Sequence, residues 1–313
     1  MWNTSPDPES QTLIKQPFSE KYIVLQESEI TMGSLLIKTV TELRWDVRVT
    51  AIKEEGCRLE ILTLDNVLLQ TNNPHMREVS ILNNAFKKMY SELDVTVSKK
   101  GEVLQVNNMP TIQRKWEQVK AEMQAIQTRH QSLDGIVALN DDIFASTPKV
   151  TEAVKNNEFF DLYFHKLYGT RLPADVSAKK KSLFMQADVS WRYQFTRPPV
   201  SGQQATVSLY GTAQHLTDTK WLKQAYGQFP MADAATLRPQ LAEEGNYVIE
   251  HASGRLLKAA FQRQEIAHPQ LLKASMKYTI TADSYSKQES EKKQHTPPTT
   301  TPSNGGFSWI IDN

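Results

Sequence analysis

The chain has 313 residues, 39% of them hydrophobic, and its 36 Lys and Arg balance 35 Asp and Glu. That hydrophobic share supports a real core and excludes global disorder, while the length exceeds one ordinary core and suits two packed lobes. Balanced charge gives no general field for nucleic acid or an anionic membrane, and the single Cys57 excludes an intrachain disulfide.

Residues 1–20 carry Pro6, Pro8 and Pro17 and read as an irregular arm, without the basic and apolar regions of a signal peptide. Strands follow. In "TELRWDVRV", Leu43, Trp45, Val47 and Val49 point one way and Glu42, Arg44, Asp46 and Arg48 the other, the alternation of an antiparallel sheet with one wet face. Glu54, Glu55 and Gly56 turn the chain into "CRLEILTL", and Cys57 beside that strand reads as a small core residue. Val79, Leu82, Phe86, Met89, Tyr90 and Leu93 then take helical spacing. "VTVSKKGEVLQV" is a hairpin turning at Lys99, Lys100 and Gly101. Asn108 and Pro110 open a helix whose narrow apolar stripe is Ile112, Trp116, Val119, Met123 and Ile126.

Residues 133–180 read as a helical connector, with Ser146 or Thr147 as a cap before Pro148. Phe159, Phe160, Tyr163, Phe164 and Tyr168 crowd one short helix ended by Gly169, which suits burial between two lobes. The run Lys179, Lys180 and Lys181 reads as the solvated start of a strand. In "SLFMQADVSWRYQFTR", Leu183, Met185, Ala187, Val189, Trp191, Tyr193 and Phe195 are expected on one face. "ATVSLYGTAQHL" pairs with it, and Asp218 caps a helix through Trp221, Leu222, Ala225 and Tyr226. Residues 230–245 read as a loop with a short helix. "NYVIEHASGRLLKAAFQ" is a hairpin turning at Ser253 and Gly254, and "LLKASMKYTITA" is the last strand.

The expected fold is α+β: two lobes of curved, mostly antiparallel β-sheet at 21–132 and 181–285, each covered by helices, with the connector between them. A linker at 286–306 has no apolar side chain except prolines, and an apolar peptide at 307–313 ends the chain.

Local motifs provide no catalytic residue, metal site or cofactor. The seven histidines include no pair at i, i+2 or i, i+4, and neither phosphate-cradling glycine loop nor a G-x-S-x-G elbow is present. The adjacent carboxylates Asp141 and Asp142 diverge on any regular element, and His251 sits alone near a turn.

The sequence therefore points to a non-enzymatic interaction or assembly protein, an accessory subunit that docks another protein through Phe307, Trp309, Ile310 and Ile311. In "FSWIIDN", Phe307, Trp309 and Ile311 share one face of an extended strand, which suits addition to a sheet edge. One alternative is a carrier for a hydrophobic ligand, with Trp45, Trp191, Tyr193 and Phe195 as the candidate ligand face of a curved sheet. Another is a hydrolase whose site is assembled from distant residues. No nucleic-acid partner is expected. No run of 18 apolar residues argues for membrane insertion, and the chain as written reads as cytoplasmic, with non-classical export left open.

Overall fold

The structure, a computed structural model, describes residues 11–127, 134–196, 202–229 and 234–288. Its frame is one antiparallel sheet. The strands are β1 (Phe18–Met32), β2 (Leu35–Ile52), β3 (Gly56–Thr71), β4 (Glu92–Ser98), β5 (Val103–Val106), β6 (Ala174–Lys181), β7 (Asp188–Thr196), β8 (Gln204–Gln214), β9 (Gln240–Glu250), β10 (Leu256–His268) and β11 (Leu272–Ala282). They lie in the order β5-β4-β3-β2-β1-β11-β10-β9-β8-β7-β6. The helices are α1 (His75–Lys87), α2 (Met109–Gln127), α3 (Asp134–Phe144), α4 (Thr147–Lys155), α5 (Glu158–Phe164) and α6 (Thr219–Tyr226).

The α+β, sheet-dominated character matches the expectation. The two lobes become the two halves of one sheet, because β1 pairs with β11 from Tyr22↔Ala282 to Met32↔Leu272. A backbone ladder of that length leaves no edge between the halves. Several segments differ from the sequence reading: Leu93 lies in β4 rather than on the preceding helix, and the aromatic helix ends at Phe164 rather than at Gly169. Residues 174–181 form an edge strand where helix was expected, and 240–245 begin β9 where a loop was expected. The strand expected from residue 183 starts at Asp188; the chain turns at 182–187, with Met185 in the left-handed region at φ 63. Leu183 and Met185 therefore leave the buried face that Val189, Trp191, Tyr193 and Phe195 hold. Asn108 does not cap α2 through its side chain, which instead accepts from the Asp94 N–H of β4 at 3.0 Å. Asp218 does cap α6, accepting from Lys220 N–H at 3.0 Å.

Both hairpin glycines occur where the sequence places them. Gly101 and Gly254 have φ 78 and 76, and a Cβ at Gly254 would stand 1.8 Å from the Leu13 carbonyl oxygen. Only glycine fits that approach.

The sheet curls around α5. Asn157 caps this helix by accepting from Phe159 N–H, and Phe159, Phe160, Leu162, Tyr163 and Phe164 are all buried. The ring of Phe159 is 5.0 Å from that of Trp45 on β2, and Tyr163 is 5.6 Å from Tyr22 on β1. Just past the helix, the His165 ring lies 5.5 Å from Tyr193 on β7, 5.7 Å from Tyr247 on β9 and 5.3 Å from Phe261 on β10. In a flat sheet β7 and β10 would stand roughly 14 Å apart. One imidazole touches both only because the sheet is concave. Arg263 on β10 likewise donates to the Lys181 carbonyl at the end of β6, four strands away.

Candidate functional site

Register defines which side chains share the concave face. One row runs Tyr193 (β7), Gly211 (β8), Glu243 (β9), Arg263 (β10), Met276 (β11), Ser28 (β1) and Thr39 (β2). The neighbouring row continues Phe261, Tyr278, Gln26 and Thr41. On either side the face is packed. One apolar cluster gathers α5 and its neighbours over Tyr22, Val24, Leu43 and Trp45; a second gathers α6 over Ala267, Leu272 and Ala274. Between them Gln26, Ser28, Thr39, Thr41 and Met276 are only half-buried, so the middle of the concave face is an open strip. Ser28 and Thr39 share a hydrogen bond of 2.6 Å across its floor.

At one end of the strip sits an ionic cluster. Glu243 is 1% exposed. It accepts from the Tyr193 hydroxyl at 2.9 Å, lies 3.3 Å from Lys180 Nζ and 3.0 Å from His165 Nε2. Lys180 also pairs with Asp161 at 3.1 Å. Burial alone would raise the Glu243 carboxyl, but the charges of Lys180 and then His165 hold it well below the usual carboxylate range. Asp161 is lowered in the same way, against burial, chiefly by Lys180. Asp161 nevertheless keeps 48% of its side chain exposed, so α5 turns this carboxylate toward solvent at the rim. Tyr193 is pushed up by burial and by the adjacent Glu243 charge.

Polar atoms here remain without hydrogen bonds. His165 Nδ1 and Nε2, Trp191 Nε1 and Tyr247 Oη are buried and unpartnered. His165 Nε2 is close enough to Glu243 for charge attraction, yet the hydrogen-bond direction is missed. The backbone of His165 and Lys166 is left-handed at φ 40 and 55, an unfavourable conformation for non-glycine residues. Unpaired buried groups, strained backbone and shifted carboxyls in one place are a functional-site signature.

The second inward carboxylate, Glu265, accepts from Tyr226 Oη at 2.8 Å and Leu183 N–H at 2.5 Å, and burial raises its carboxyl. It pins α6 and the 182–187 turn to the sheet. A separate open groove of about 440 Å³ lies on the outer face along Ser208, Tyr210, Glu244, Asn246, Gln262 and Lys277. Its lining is mostly exposed and contains no buried ion pair, so the concave face is the stronger site.

The aromatic residues expected to face a ligand are placed as core. Trp45, Trp191, Tyr193 and Phe195 are at most 3% exposed. The last three line one face of β7, with Tyr193 against His165 and flanked by Trp191 and Phe195, while Trp45 packs on Phe159 in the other half. Asp141 accepts from Trp116 Nε1 at 2.9 Å and Lys120 Nζ at 2.8 Å, and Asp142 pairs with Lys149, so the two diverge on α3. Cys57 is buried, which pushes its thiol up to about 12. Phe307, Trp309, Ile310 and Ile311 lie outside the described residues.

The sequence reading missed Glu243, Arg263, Glu265 and Lys180. The signal was parity: Leu241, Tyr247 and Ile249 point inward, so Glu243 must as well, and Arg263 and Glu265 follow Ala259 and Phe261 in the same phase.

Among the described residues no helix is long and apolar enough to cross a membrane. No protein-family model matches the sequence, and no curated protein matches it. A solved structure described as lipid-protein interactions in lipovitellin is similar over 86% of this chain at 7% identity and a TM-score of 0.43. This chain spans 25% of that one, and the likeness is too slight to assign fold or function.

Proposed function

We propose that the chain is a non-enzymatic carrier that holds an amphipathic ligand along the open strip of its concave sheet face. The observation that carries this reading is the half-buried floor of Gln26, Ser28, Thr39, Thr41 and Met276 between two well-packed clusters. Such a floor sets a few placed polar groups between apolar walls, and together they give the mix of contacts found in small-molecule sites. A hydrolase reading would use the His165–Glu243 pair. We read that pair as a positioning element, because both residues are 1% exposed and a scissile bond has no route to them.

The test is Nile red binding, followed by fluorescence, to the wild type and to Ser28→Phe and Thr39→Phe, which fill the strip. Saturable binding by the wild type and its loss in both variants, with melting unchanged, is the expected result. A wild type that binds no Nile red, or variants that bind it equally well, would sink the reading.

A second reading rests on the sequence of the C-terminus. The polar linker 286–306 followed by Phe307, Trp309, Ile310 and Ile311 favours docking of another protein as an added strand. The two readings are compatible, since a carrier needs a donor or acceptor to meet.

A further inference from the structure

We propose that Arg263 is the headgroup anchor of this strip, and that the ligand is an anionic amphiphile carrying a carboxylate or phosphate oxyanion on an apolar chain. The inference rests on the carrier reading and names its ligand class.

Arg263 stands at the centre of the concave face, between Glu243 on β9 and Met276 on β11. Its guanidinium lies 5.5 Å from the Trp191 ring centre, and one nitrogen donates to the Lys181 carbonyl. Among the described residues no carboxylate comes within ion-pair distance of it. The two carboxylates nearest along the sheet both feel its charge without forming an ion pair with it, and both are already engaged elsewhere. Glu243, directly opposite across the strand pair, is taken by Lys180, His165 and Tyr193. Glu265, two residues along the same strand and on the same face, is taken by Tyr226 and Leu183. A half-buried guanidinium therefore keeps most of its five N–H donors free, in the fork geometry that grips a planar or tetrahedral oxyanion through two bonds. Stacking on Trp191 fixes the plane of that fork.

From Arg263 the floor runs past Met276 to Ser28 and Thr39, with Ile30 and Ile37 on the next inward row. That path crosses three strand spacings, roughly 14 Å along the curl. It suits one unbranched chain lying along the floor, with its charged end at the guanidinium, which reaches from β10 over Trp191 on β7 toward the Lys181 carbonyl of β6.

The experiment titrates the full chain with dodecanoic acid, dodecyl phosphate and dodecanol, read by intrinsic tryptophan fluorescence and calorimetry. The wild type should bind the acid or the phosphate about tenfold or more tighter than the alcohol, and the tighter of the two names the headgroup. Arg263→Gln should remove that preference and leave dodecanol binding unchanged; Arg263→Lys should restore part of it, having charge but no fork. Met276→Glu keeps Arg263 and places an internal carboxylate beside it, so it should weaken the anions and spare the alcohol even if Arg263→Gln folds poorly. Equal binding of acid, phosphate and alcohol by the wild type, or an undiminished anion preference in folded Arg263→Gln or Met276→Glu, overturns the anchor and leaves the carrier standing. If none of the three amphiphiles binds the wild type, the carrier and its anchor fall together.

Discussion

Glu243→Gln tests the interior cluster most directly, because it removes one charge and almost no volume. Glu243 is 1% exposed and is approached by Lys180 at 3.3 Å, His165 at 3.0 Å and the Tyr193 hydroxyl at 2.9 Å. Breaking a buried pair by removing one partner costs about 3–5 kcal/mol. Two features favour the lower end, about 3 kcal/mol. Lys180 keeps Asp161 at 3.1 Å, and the glutamine carbonyl still accepts from Tyr193. The pH dependence adds a second constraint. The folded-state pKa of Glu243 is depressed, so its contribution is fully present above the ordinary glutamate pKa of about 4.3 and is lost as pH falls toward the folded value. Asp161 follows the same sign and feels the Glu243 charge, so its carboxyl is held lower still in Glu243→Gln and offsets part of the gap; Glu265, whose carboxyl is raised, has the opposite sign and does not feel that charge, so it drops out of the difference. Urea denaturation of the wild type and Glu243→Gln should show the full gap at pH 7 and a narrowing gap below about pH 4. A gap under about 1 kcal/mol at pH 7, or one that stays constant into acid, would refute the buried-charge account.

Trp191→Ala should cost about 3–5 kcal/mol, since the ring is 1% exposed and stacks 5.9 Å from Tyr193; a denaturation midpoint close to wild type would show that the strip reaches beneath it. Trp116→Asp should destabilise by several kcal/mol, because the indole stacks on Phe144 at 5.4 Å and the new carboxylate would sit beside Asp141; normal melting would place that face of α2 in an interface instead. Deleting residues 307–313 should leave the melting temperature of the body unchanged and abolish co-purification with a partner; retention of every partner would remove the docking role of the tail.

The sequence was most legible where alternation is strict and one face is dry. β2, β7 and β11 were read from their apolar residues, and the buried stripe of α2 from Ile112, Trp116, Val119 and Met123. β6 escaped because "ADVSAKKK" alternates small residues with lysines and offers little apolar contrast. That composition suits an exposed edge, where lysines deter pairing with another sheet. The start of β9 escaped because Glu243, Glu244 and Gly245 read as loop. The join between the halves was hidden in β1, where the inward positions change after Val24 to Gln26 and Ser28 and the apolar period disappears.

Those failures coincide with the candidate site. Along β9, β10, β11, β1 and β2 the inward row reads Glu243, Arg263, Met276, Ser28 and Thr39, and the same row interrupts the alternation of four of the five strands. Core stability does not explain such a row. A buried ion pair replaced by well-packed apolar residues is often neutral or stabilising, and a polar floor between two apolar clusters forgoes burial that leucine or valine would supply. The cluster at its end also retains unpaired buried atoms at His165, Trp191 and Tyr247, each a further cost in a protein interior. Along this row local consistency is broken in one neighbouring strand after another on the concave face. A break confined in that way is expected where side chains are chosen for what they hold rather than for how they pack.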